Sequence, residues 1–143
     1  MTVIFINSKD KTIKNVNIDK DNLLSFLQSR VAEYSGLITS VNYIYNNKQE
    51  NVIYVDDEGL LEQKYPLEGF VYKDNFYAGN GAVVGTNENG ESISTNINLE
   101  TMISEITFDF KVEEEIDKII EEGTKIYTGS FEDFLITDEY NEN

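Results

Sequence analysis

The chain has 143 residues, 40% of them hydrophobic and 12% aromatic, and its 27 Asp and Glu against 11 Lys and Arg give a net charge of -16. That length suits one domain with a real core, and the apolar content is too high for a disordered acidic chain. With no cysteine and no histidine, disulfides, thiolate chemistry, His- or Cys-based metal sites and Ser-His or Cys-His pairs are excluded; an all-oxygen Ca²⁺ or Mg²⁺ site stays open.

Residues Thr2–Asn7 and Thr12–Ile18 read as two strands joined by the polar turn Ser8–Lys11. The opening stretch Met1–Ile6 is too short for a signal-peptide core and lacks a basic flank. No run approaches the ~18 apolar residues of a membrane span. A soluble protein of the cytoplasm is expected, and richness in Asn, Lys and Ile fits a low-GC bacterial cell or its phage.

Asp19 or Asp21 is placed to cap a helix carrying Leu23, Leu24, Phe26, Leu27, Val31 and Tyr34 at helical spacing, with Gly36 as its stop. Leu37–Tyr45 and Asn51–Val55 read as a hairpin around Asn46–Glu50, and Asp56–Gly59 as a turn. Phe70–Tyr72 reads as a short strand or loop segment. Ala82–Thr86 and Ser92–Thr95 flank Asn87–Gly90, whose Asn-Gly is a strong hairpin signal. Asn98 caps a helix over Leu99–Ile106. A second, acidic helix is predicted over Lys111–Glu122, with Val112, Ile116, Ile119 and Ile120 on one face. The expected fold is α+β: a small, mainly antiparallel sheet with one long helix in the N-terminal half, plus an acidic helical extension at the C-terminus.

Charge supports that division. Residues 1–108 hold 15 acids and 8 bases, and residues 109–143 hold 12 acids and 3 bases. An α+β domain over 1–108 therefore carries -7, and an extension over 109–143 carries -9. Lys9, Lys11, Lys14 and Lys20 cluster near the N-terminus. So acidic a chain opposes direct nucleic-acid binding, and these lysines read better as guards of an edge strand.

Two stretches, Val52-Ile53-Tyr54-Val55-Asp56-Asp57-Glu58-Gly59-Leu60-Leu61 and Ala78-Gly79-Asn80-Gly81-Ala82-Val83-Val84-Gly85-Thr86-Asn87-Glu88-Asn89-Gly90-Glu91, resemble a family of small uncharacterised proteins of phages, plasmids and conjugative elements. The resemblance covers about residues 2–106. It implies a mobile-element context and supplies no catalytic residue.

The segment Gly79–Gly85 has neither the dinucleotide-binding spacing nor a P-loop Lys-Ser/Thr, so it reads first as a turn entering a core strand. Gly79, Asn80, Gly81 and Gly85 are the site of an alternative, a module that sequesters a nucleotide or signalling molecule. Asp56–Gly59 and Asn87–Glu91 lack the EF-hand pattern and read as turns; no metal site or cofactor is assigned. Carboxylate pairs are too many to point to acid–base catalysis, and without histidine no enzyme is expected.

The acidic extension carries the functional reading. Glu113, Asp117 and Glu121 are spaced by four, beside Glu114 and Glu122; like-charge neighbours at that spacing cost a few tenths of a kcal/mol per pair. Duplex DNA carries one charge per ~1.7 Å, so sixteen charges match roughly 27 Å of duplex. The expected function is that of an accessory protein acting by protein binding: a DNA-mimic-like inhibitor, of anti-CRISPR or antirestriction type, docking on a host protein with a basic surface. The candidate partner-binding residues are Glu113, Glu114, Glu115, Asp117, Glu121, Glu122, Glu132 and Asp133. A solvated acidic face without a partner is the plain alternative, and a structural or oligomerising accessory protein is another.

Overall fold

A computed structural model describes residues 1–122. The chain divides into two units, Met1–Lys111 and Val112–Asn143.

The first unit is built on antiparallel strands. β1 (Thr2–Asn7) and β2 (Thr12–Asn17) pair with Val3 opposite Val16 and Phe5 opposite Lys14. β3 (Ile38–Asn46) and β4 (Gln49–Asp56) form a tighter hairpin than the five-residue loop expected. Asn46 pairs with Gln49, and the two linking residues, Asn47 and Lys48, both take positive φ (47° and 65°), the turn whose twist matches that of the strands. β5 (Leu67–Tyr72) and β6 (Asn75–Ala78) repeat the device at Lys73 and Asp74, with φ of 49° and 67°. β7 (Gly81–Thr86) and the short β8 (Ser92–Ile93) follow, then α2 (Leu99–Glu105) and β9 (Ile106–Lys111). Asn98 caps α2: its side chain accepts the Glu100 N–H at 2.8 Å.

The strands make two sheets. The larger runs β2-β1-β7-β4-β3, with β8 beside β7; the smaller runs β6-β5-β9. Strand β1 explains the layering. Its Val3, Ile4, Phe5 and Ile6 are all buried, which alternation allows only if both sheet faces are covered. Ile4 and Ile6 join Ile53, Val55, Phe70, Tyr72, Val83 and Met102 in one cluster, between the large sheet and the small sheet with α2. Val3 and Phe5 join Ala82, Val84, Leu23, Leu27 and Val31 in another, between the opposite face and the helical segment.

The one long helix of the N-terminal half is not formed, and helices are confined to short segments in a mostly antiparallel β chain. A 3₁₀ turn (Lys20–Asn22) leads into α1 (Leu23–Phe26) and then a π-helical turn (Leu27–Val31). The Ala32 N–H bonds to the Leu27 carbonyl, five residues back, at 2.8 Å. Two local causes are visible. No side chain caps the start, and Ser25 and Ser29 donate their hydroxyls to the Asn22 and Ser25 carbonyls (3.0 and 2.7 Å), competing with the helical ladder. The buried positions are Leu23, Leu27 and Val31, while Leu24 and Tyr34 of the predicted apolar face are exposed.

The acidic extension also differs from its expected form. Lys111 ends β9, which pairs with β5 along its whole length (Ile106 opposite Tyr72, Lys111 opposite Leu67), so the strand runs through the position of the compositional break. Helix is present over 113–122, here α3. The rest of the extension lies outside the described residues.

Candidate functional site

Three backbone facts define the start of α3. The Glu115 and Ile116 N–H groups donate to the Val112 carbonyl (3.1 Å each). The Glu115 carboxylate in turn accepts the Val112 N–H at 3.1 Å, the return half of a capping box. Three consecutive glutamates in the first turn face the positive end of the helix dipole. The sequence thus places acids where a helix start favours them, and Glu115 has a structural role there.

All along α3 the acidic residues are exposed. Ile116 is buried and Ile119 and Ile120 are half-buried, while Glu113, Glu114, Glu115, Asp117, Glu121 and Glu122 are all exposed, with Lys118 among them. At about 100° per residue the isoleucines share one side and the acids fan across the other. Glu113, Glu114, Asp117, Glu121 and Glu122 form no ion pair with a described residue. Ten helical residues span about 15 Å and carry six acids and one base. That is one net negative charge per about 3 Å, close to the 3.4 Å spacing along one strand of duplex DNA. Glu132 and Asp133 lie outside the described residues.

The glycine-rich segment is divided by the fold. Gly79 turns the chain with φ of 82° and, with Asn80, lines a cleft of about 470 Å³. Gly81 and Gly85 lie in β7, away from that cleft. A methyl at Gly81 would meet the Phe70 ring at 2.8 Å, and one at Gly85 would meet the Ser94 carbonyl and the Gln49 amide. Their bare backbones serve close packing.

Within the cleft the buried polar groups already have partners. The Asn80 carbonyl oxygen accepts the Ser8 N–H at 2.8 Å, and its amide donates to the Arg30 carbonyl (2.8 Å) and to Glu33 (3.3 Å). Asp56, which sequence places in a turn, accepts from the Tyr34, Ser35 and Glu58 N–H groups and the Ser35 hydroxyl. Charged residues on the walls are Lys9 and Lys64 against Glu33, Asp56, Glu62 and Glu68, a balance that disfavours a phosphate. Among the described residues no three Asp or Glu converge as a metal site.

Three shifted groups lie elsewhere: Asp109, Tyr54 and Tyr72, the last pushed up chiefly by burial. The Lys111 ammonium at 3.1 Å and the Phe110 N–H hold the Asp109 carboxyl below the usual carboxylate range. Burial, and next the neighbouring Tyr43, push the Tyr54 hydroxyl up.

No family model, curated protein or solved structure matches this chain. Among the described residues no helix is long and apolar enough to cross a membrane.

Proposed function

We propose that this chain is an accessory protein of a phage or another mobile element, and that it acts by binding protein. In this reading α3 enters the basic, nucleic-acid-binding groove of a host defence nuclease, such as a CRISPR effector or a restriction enzyme. One observation carries the proposal: the exposed carboxylates of α3 repeat at nearly the linear charge density of a DNA strand. A groove built to neutralise phosphates would gain on Glu113, Glu114, Asp117, Glu121 and Glu122 the same long-range attraction it has for nucleic acid. The resemblance of residues 2–106 to mobile-element proteins supplies the context, and a bacterial cytoplasm the location. The ligand-binding reading has less support, because the cleft at Gly79 and Asn80 is net acidic and its buried polar groups are engaged.

The test is affinity capture from a bacterial lysate with two baits. One is the full chain; the other carries Asp117→Lys, Glu121→Lys and Glu122→Lys, which lie beyond the first turn of α3 and take no part in its cap. The full chain is expected to retain nucleic-acid-binding proteins that elute with salt and with duplex DNA, as screened charge pairs should. The reversed bait is expected to lose them while keeping the circular dichroism and melting temperature of the original. Capture of the same proteins by both baits, or of none by the full chain, contradicts the proposal. A truncation control should stop after Lys111, since a cut at 109 removes half of β9.

A further inference from the structure

An edge strand presents unpaired backbone N–H and C=O groups, and proteins guard such edges by brevity or charge. Among the described residues the guarded edges are easy to find. β2 carries Lys14, β9 carries Asp109 and Lys111, β6 has four residues and β8 two. β3 is the exception. It is nine residues long, Ile-Thr-Ser-Val-Asn-Tyr-Ile-Tyr-Asn, without a charge or a proline. In a chain with 27% charged residues, that gap falls on the edge of the large sheet.

The strand is also open. None of its residues is buried, whereas its neighbour β4 buries most of its length. Outside β4, one group among the described residues hydrogen-bonds its backbone, the Asn96 amide at the Asn46 carbonyl (2.7 Å). Tyr43 and Tyr45, two residues apart on one face, are 64% and 73% exposed. They lie on the face of the sheet that the helical segment covers, where that segment's cluster takes in β3 at its other end, through Ile38. Ile44 turns the other way, onto the core between the sheets.

We infer that β3 is a self-association edge, and that its occupant is β3 of a second copy, paired antiparallel about a two-fold axis. The backbone specifies an extended strand, and charge specifies which one. Two copies at -16 each repel one another, least where both present uncharged surface, and an antiparallel pair of identical strands about a two-fold axis is self-complementary. The irregularity between Val41 and Tyr43, where Asn42 takes φ of 54° and donates to the Tyr77 hydroxyl at 2.8 Å, leaves Tyr43–Asn46 as the regular stretch. With the axis at Ile44, Tyr43 lies opposite Tyr45 of the second copy, and Tyr45 opposite its Tyr43. Such cross-strand aromatic pairs stabilise antiparallel strands. The inference does not depend on the acidic helix.

Sedimentation of the full chain over a concentration series tests it. The expected species at high concentration has twice the 16.4 kDa of one chain. Its fraction should rise with added salt, which screens the repulsion between copies and leaves strand pairing intact. Tyr43→Lys with Tyr45→Lys places on this edge the residue that guards others and should give a monomer at every concentration, with unchanged circular dichroism. Hydrogen exchange adds a readout that folding alone does not move: amides of 43–46 slow as the wild type associates and stay fast in the variant. A wild type that remains monomeric, a dimer that persists in the variant, or one that dissolves with salt overturns the inference.

Discussion

Phe70→Ala is expected to lower the free energy of unfolding by about 4 kcal/mol, within the range for emptying a buried aromatic site. Phe70 is fully buried in the central strand of the small sheet. Its ring lies 5.5 Å from that of Tyr77, and it fills the space that the bare backbone of Gly81 leaves in the large sheet. It therefore ties the two sheets together, and collapse around the cavity is limited because β-strand backbones form both walls. Against a total stability of 5–15 kcal/mol, the loss should show as a large fall in the urea midpoint. A change below about 1 kcal/mol would mean that the sheets are not packed through this ring.

Asp56→Ala is expected to cost about 3 kcal/mol through unpaired donors. The carboxylate is nearly buried and accepts four hydrogen bonds, from the Tyr34 N–H (3.0 Å), the Ser35 N–H (3.1 Å), the Ser35 hydroxyl (2.6 Å) and the Glu58 N–H (2.9 Å). It joins the end of the helical segment to the end of β4. Removing it strands three backbone donors at once. Asp56→Asn keeps one acceptor oxygen and should fall between the two, as measured by thermal or urea unfolding. Equal stability of the alanine variant would show that water replaces the carboxylate without loss.

What could be read from the sequence follows the range of the interaction involved. β1, β2, β7 and the Asn98 cap rest on alternation and on contacts a few residues apart, and they form where local chemistry places them. The long helix fails for a local reason that spacing alone does not display: Ser25 and Ser29 offer the backbone other partners. β9 shows the opposite error. Ile106-Thr107-Phe108-Asp109-Phe110-Lys111 alternates cleanly, yet its partner β5 lies far away in sequence, and the charge step beside it draws the eye to a boundary. β6 is four residues long and its turn uses Lys73 and Asp74 in place of glycine, so the strong Asn-Gly type of hairpin signal is missing there.

The candidate site divides the same way. Exposure of the α3 acids is legible because carboxylates rarely bury without partners. The cleft is not, since Ser8, Arg30 and Asn80 meet across separations of 72 and 50 residues. The uncharged run Ile38–Asn46 is plain in the sequence, but its meaning depends on lying at a sheet edge, which only the strand order reveals.

Competition with duplex DNA decides whether α3 occupies a nucleic-acid-binding groove. A captured partner is loaded with fluorescently labelled duplex DNA, and anisotropy is followed as the full chain is added. Displacement of the DNA is expected, weakening as salt rises, with no displacement by the chain carrying Asp117→Lys, Glu121→Lys and Glu122→Lys. Binding of the chain with the DNA still in place would contradict that occupancy.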